Sequence, residues 1–142
     1  MAITTAMATS FKQEILVGTH DFTAATGDGF KAALYASAAT LGAATTAYSA
    51  ANEISGTGYT AGGAALTSVT PVTSGTTALC DFSDVSWSAA SFTANGMLIY
   101  NASKSNKAVS AHAFGGDKTV SAGTFTVQFP AADASNAIIR IA

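Results

Sequence analysis

Apolar side chains along this chain recur mostly in short alternating runs, with one exception near the front. Phe11, Ile15 and Leu16 are spaced as on one helix face. Ser10 before them is placed to cap that helix, with Gln13 as its reciprocal partner. Gly18 is placed to close it, because glycine tolerates a left-handed backbone. The stretch ahead, residues 1–9, is uncharged and Thr-rich and reads as an extended arm. Beyond Gly18 the period changes to two. Phe30, Ala32 and Leu34 alternate with Lys31, Ala33 and Tyr35 after a Gly27-Asp28-Gly29 turn, which predicts a strand. Residues 36–52 are rich in alanine, but Thr40, Gly42, Thr45 and Thr46 oppose a helix, so a loop with short extended pieces is expected. Residues 53–63 suit a strand at a sharp bend.

Further strands are expected at 65–69, 77–82, 85–87, 92–100, 107–114, 124–129 and 138–141. Asn95-Gly96 fits either a tight hairpin turn or a bulge within one bent strand. Residues 101–106 and Gly115-Gly116-Asp117 read as turns, and Pro130 as a strand stop. Many short strands with Gly-rich turns describe a mainly β fold, a jelly-roll-like antiparallel β-sandwich with one short N-terminal helix. The organisation expected is an extended N-terminal arm over 1–9 and a single β-sandwich domain over 10–142.

Composition makes this pattern unusual. Only 10% of the 142 residues are charged, against roughly 25% in an ordinary soluble domain. Ala, Thr, Ser and Gly fill the places where charges usually sit. The mean hydropathy of +0.34 comes from scattered Ala, Val and Ile, with no run near the ~20 apolar residues of a spanning helix, so no membrane partner is expected. The net charge of −2 offers no basic patch for phosphates, so no nucleic acid is expected either. A single Cys80 makes the fold independent of an internal disulfide. No basic residue precedes a continuous apolar run at the start, so no secretory signal is expected and the chain is read as made in cytoplasm. A surface this poor in charge repels its own copies weakly, and much of it is expected to lie against other protein. The arm residues Ile3 and Met7 and the helix residue Phe11 are the candidates for that contact.

Candidate chemistry is sparse. His20 and His112 lie in no motif that exposes a nucleophile, and Gly-x-Ser-x-Gly is absent. Asp81 and Asp84 are three apart and Asp28 sits in a Gly turn, a pattern suiting turn aspartates better than a calcium loop. Gly56-Thr57-Gly58 and Gly62-Gly63 lack the following Lys-Ser/Thr and helix of a phosphate loop, as does the run from Gly115 to Thr119. Trp87, between Val85 and Phe92, reads as core. Asn101-Ala102-Ser103 matches a glycosylation sequon and, without a secretory signal, carries no weight. No catalytic residue, metal ligand or cofactor is assigned and no enzyme is expected. A small hydrolase using Asp81, Asp84 or His112 is the competing reading, since paired carboxylates serve a glycosidase only at a defined separation.

Several segments together resemble a group of small virion structural proteins of tailed bacteriophages. They are FKAALY from Phe30, NEISGTGYTAGG from Asn52 and GMLIYN from Gly96, with TAMATSFKQE from Thr5 and VQFPAADASNAIIR from Val127. The resemblance spans nearly the whole chain. It implies a head cement or decoration protein that binds the outside of the major capsid protein lattice as a dimer or trimer and clamps neighbouring capsomers. The same resemblance admits a tail or fibre component, an adaptor or a receptor-binding tip.

Overall fold

The computed structural model describes residues 2–142. Its elements run β1 (Ala6–Met7), α1 (Thr9–Leu16), β2 (Phe30–Tyr35), β3 (Ala64–Ala65), β4 (Ser68–Ser74), β5 (Thr77–Phe82), β6 (Val85–Asn101), β7 (Lys107–Val127) and β8 (Ile139–Ile141). The strands form two antiparallel sheets, ordered β1-β7-β6-β2-β3 and β4-β5-β8. The fold is mainly β and sandwich-like, with one short helix at the front, as the alternation predicts.

Both sheets feed one hydrophobic core. An aromatic junction joins them. Phe22 stacks on Phe30 of β2 at 4.4 Å, and Phe82 of β5 lies 5.6 Å from Phe30. Phe11 of α1 meets Phe22 edge-on at 5.9 Å, and Phe129 meets Phe82 at 5.7 Å. Each such pair adds about 1 kcal/mol beyond its area burial.

β6 and β7 form one long hairpin around the turn at 102–106, so the separate strands expected at 85–87 and 92–100 are a single element. The reason is a phase reset. Val85 and Trp87 are buried on odd positions, whereas Ala90, Phe92 and Ala94 are buried on even ones. A register shift between Trp87 and Ala90 switches the parity, with Ala89 at φ +46°. Sequence alternation breaks there and mimics a strand end. Likewise Gly115-Gly116-Asp117 does not turn the chain. These residues bulge out of β7 opposite Asn95, where the pairing jumps from Ala94–Lys118 to Gly96–Ala113, and Asn95 donates to Asp117 across the gap at 2.9 Å. Asn95-Gly96 thus marks a bulge and not a hairpin turn. β4 runs past Pro71 because it is an edge strand, paired only with β5, with a register irregularity at the proline.

The N-terminal arm is part of the sheet. β1 pairs with β7, Ile3 bridges Leu41, and Thr5 Oγ1 accepts the Ala113 N–H at 2.9 Å. Met1 lies outside the described residues. Ser10 does not cap α1. The Ala8 N–H is held by Val109 O and the Thr9 N–H by Ala43 O, both at 2.9 Å or less. Tertiary bonds therefore place the cap two residues earlier, at Ala8, with no side-chain cap. The far end follows the sequence: Gly18 at φ +74° donates to Ile15 O and Thr19 to Glu14 O, the paired bonds of a Schellman close.

Gly96 shows why the arm can dock. A Cβ there would lie 2.8 Å from the Ile3 side chain and 2.6 Å from His112 O. The glycine is the floor on which Ile3 sits. Gly96→Ala is expected to cost about 1–3 kcal/mol in urea unfolding. In a double-mutant cycle, the double variant with Ile3→Ala should cost less than the sum of the two single variants.

Candidate functional site

Three groups of polar side chains stand out, and each is built from segments distant in sequence. The first surrounds His20, whose side chain is fully buried. Its Nε2 faces Glu14 Oε1 at 3.1 Å and its Nδ1 faces Asn101 Nδ2 at 3.0 Å. The Asn101 amide is oriented by its other contacts. Its Oδ1 accepts the N–H groups of Ser103 and Lys104, and its Nδ2 also donates to Asp28 Oδ2 at 2.8 Å. Asn101 therefore presents a donor to His20, whose Nδ1 accepts while Nε2–H points at Glu14. Burial pushes the Glu14 carboxyl up, but hydrogen bonds from Lys107 and His20 outweigh it and hold it below the usual range. Lys107 Nζ lies 2.8 Å from Glu14 Oε2. The cluster ties α1 to the β6–β7 turn. Both ring nitrogens are engaged, so His20 is a strut here. Asn101, the sequon residue, is itself buried.

The second group centres on Glu53. Tyr59 OH donates to Oε1 at 2.6 Å, the Gly62 N–H to the same oxygen at 2.7 Å, and Tyr48 OH to Oε2 at 2.7 Å. Tyr59 OH also accepts the Leu34 N–H. Tyr100 OH donates to Gly62 O and Tyr35 OH to Ser49 O, each at 2.7 Å. Burial first, then the Glu53 carboxylate, raise Tyr48 to about 12; the same causes in the same order raise Tyr59 further. Gly63 accompanies them at φ +79°, its α-carbon so close to the Ala32 carbonyl that no side chain fits. The glycine pairs here make close backbone approaches, with no helix start beside them to hold an anion.

The third group holds the acids weighed for catalysis. Asp81 is buried on β5; its Oδ1 accepts the Phe82 N–H at 2.8 Å, while Oδ2 has no partner. Burial raises its pKa above the ordinary carboxylate value, and the nearby Asp84 and Asp133 add to the rise. Asp84 accepts the Phe129 N–H and Asp133 caps its own turn through Ser135 and Asn136. Cys80 beside them is pushed up to about 12 by burial and by Asp81, which makes it a poor nucleophile. His112 stands apart on β7, paired with Ser110 Oγ at 2.9 Å and pushed down to about 4 by burial. The structure brings His20 and Asp28 together through Asn101. His112, by contrast, sits in the β6–β7 pairing opposite Met97, on the five-stranded sheet, whereas Asp81 lies on the three-stranded one.

The surface differs from the expected contact set. Phe11 has no exposed area and Ile3 is buried; Met7 is half-buried against the core. These residues hold the fold and leave little or no area for a partner. The large exposed apolar side chains are Leu16 (86% exposed), Val17, Val72 and Ile141. Of these, Ile141 lines a cleft of about 480 Å³ between the end of α1 and the three-stranded sheet, and Leu16 and Val17 fall in sequence between its lining residues Ile15 and Gly18. Ile15, Phe22, Pro71, Leu79, Ile139 and Ile141 line it, and Asp21 carries its only acidic group. The signal for Leu16 was available: five residues from Phe11, it lies about 140° around the helix. Trp87 is core, as read.

In comparisons with known proteins, no family model matches the chain, and neither a curated protein nor a solved structure matches it.

Two outcomes follow from these groups. Glu53→Ala leaves Tyr59 OH and the Gly62 N–H without their acceptor and is expected to cost about 3 kcal/mol. Hydrogen exchange should show lost protection confined first to residues 36–63. Asp81 has a raised folded pKa, so its folded form favours the neutral acid. Its contribution is best below its unfolded value, near 3.9, and is lost as pH rises through the folded one. Asp81→Asn keeps the bond to Phe82 and removes that loss. Chemical denaturation should find the variant more stable than wild type at pH 7, with the gap closing toward pH 4.

Proposed function

We propose that this chain is a non-enzymatic virion structural protein of a tailed bacteriophage, a cement or decoration protein on the outside of the major capsid protein lattice. The observation that carries this reading is where the charges are spent. Glu14, Glu53, Asp28, Asp84, Asp133, Lys104 and Lys107 are engaged in fixing loops and turns. What faces outward is dominated by Ser, Thr and Ala. On the β6–β7 hairpin, Ser86 pairs with Thr126 and Thr93 with Thr119, hydroxyl to hydroxyl at 2.8 Å. Hydroxyls that partner each other lose less on being covered than hydroxyls that depend on water. Such a face favours weak contact, and repetition on a lattice multiplies weak contacts through avidity. The segments that resemble phage virion proteins supply the lattice.

The engaged side chains also weigh against the hydrolase reading, because an acid–base pair must be free to exchange protons with a substrate. The test is structural and functional together. Cryo-electron microscopy of the virion should place many copies on the shell, and purified protein added to undecorated heads should bind and raise their thermal stability. A few copies at the tail instead would replace this reading with the adaptor or fibre one. Turnover of a cell-wall substrate that is lost in Asp84→Asn or His112→Ala would overturn the non-enzymatic part.

A further inference from the structure

The cleft beside α1 adjoins the exposed apolar end of that helix. The two pair a hole with a knob of the same chemistry. The hole is floored by Leu79 and Ile139 and walled by Ile15, Phe22 and Pro71. The knob is Leu16 and Val17, which lie between the lining residues Ile15 and Gly18 at the end of α1 with 86% and 66% of their area exposed. A knob and a hole that adjoin along the chain suit a two-fold interface, in which each copy fills the other and the contact closes on itself.

Charge complementarity selects this occupant. Lys12 is exposed on α1, four residues before Leu16, so its ammonium shares the knob's face. It makes no ion pair among the described residues. Asp21 is the acid at the cleft. The hydroxyl and backbone N–H of Thr23 hold it below the ordinary carboxylate range, so it stays ionised. No Lys or Arg lines the cleft. A segment that enters with an aliphatic anchor and a cation one helical turn away satisfies both features. The chain owns that segment in Lys12, Leu16 and Val17.

We propose that two copies associate through this face, with Leu16 and Val17 of each seated in the other's cleft and Lys12 of each opposite the other's Asp21. This deepens the reading of the chain as an assembling structural protein and rests on it for its biological setting, though the contact is a property of the isolated chain.

Sedimentation velocity on the full chain tests it. Wild type is expected to sediment as a dimer at micromolar concentration. Leu16→Ser, at a position too exposed to affect the core, should weaken association roughly tenfold or more. Lys12→Glu and Asp21→Lys should each weaken it, and the double exchange should recover most of the loss. Thermal melting monitored by circular dichroism confirms that each variant is folded. Wild type that remains monomeric, a trimer, or a dimer indifferent to Leu16→Ser would overturn the proposal. So would failure of the double exchange when all variants fold. The two readings separate cleanly. A dimer that responds to these changes but binds no heads leaves the interface standing and removes the cement role. Head binding by a protein that is monomeric in solution does the reverse.

Discussion

One carboxylate holds the longest irregular stretch of this protein in place. Between β2 and β3 the chain runs from Ala36 to Gly63 with only isolated bridges, and ordering so many residues costs roughly 1–2 kcal/mol each. Such a loop persists only if its polar groups find partners and its apolar groups find a surface. Glu53 meets the first need by accepting from Tyr48, Tyr59 and Gly62 at once. Tyr48, stacked on Tyr100 of β6 at 4.8 Å, helps meet the second. Each of the tyrosines Tyr35, Tyr48, Tyr59 and Tyr100 has its hydroxyl in this region. Their rings cover the sheet while their oxygens tie the covering loop. The five-stranded sheet keeps its core face dry because this loop is fastened to it.

The other join, between the sheets, uses almost no polarity. Phe22, Phe30 and Phe82 meet ring to ring, with Phe11 and the buried His20 ring beside them. His20 connects the two kinds of glue. Its faces pack among phenyl rings while its edge nitrogens anchor α1 to the β6–β7 turn through Glu14 and Asn101. A side chain with an apolar face and a polar edge is the one type that serves both at a single position.

The regular parts of the fold were legible in the sequence. The strand at Phe30–Tyr35, the strand at Thr77–Phe82 and the glycine that closes the helix stand where period and turn chemistry place them. The misreadings share one cause. At Ala89, at Gly115-Gly116 and at Pro71 a local signal normally ends a strand, yet a partner strand carries the pairing across it. Pairing is a long-range term that alternation along a single segment cannot report. Ser10 lost its capping role for a related reason: bonds from Ala8 and Thr9 to Val109 and Ala43 in distant segments start the helix earlier, and the Lys12 N–H then finds Ala8 O within it. The acid and histidine partnerships were equally hidden, because residues such as His20 and Asn101 lie far apart in sequence. Phe11 and Ile3, expected at a contact surface, are buried within the chain for the same reason: an apolar residue beside a partner strand is consumed by its own fold.

The scarcity of charge looks at first like a deficit of solubility, and the structure turns it into a matter of selectivity. Where charges are plentiful, one cation among many does little to choose a partner, since neighbours of both signs offset it. Here the chain carries few charges and spends many of them on internal bonds, so the field near any surface point is set by a small number of groups. Lys12, unpaired on an exposed helix face, and Asp21, held ionised at an apolar cleft, then carry more discrimination than their number suggests. Apolar area at Leu16 and Ile141 supplies attraction without direction. The isolated charges supply the direction, because burying either of them without its opposite leaves a desolvated ion and penalises every wrong arrangement.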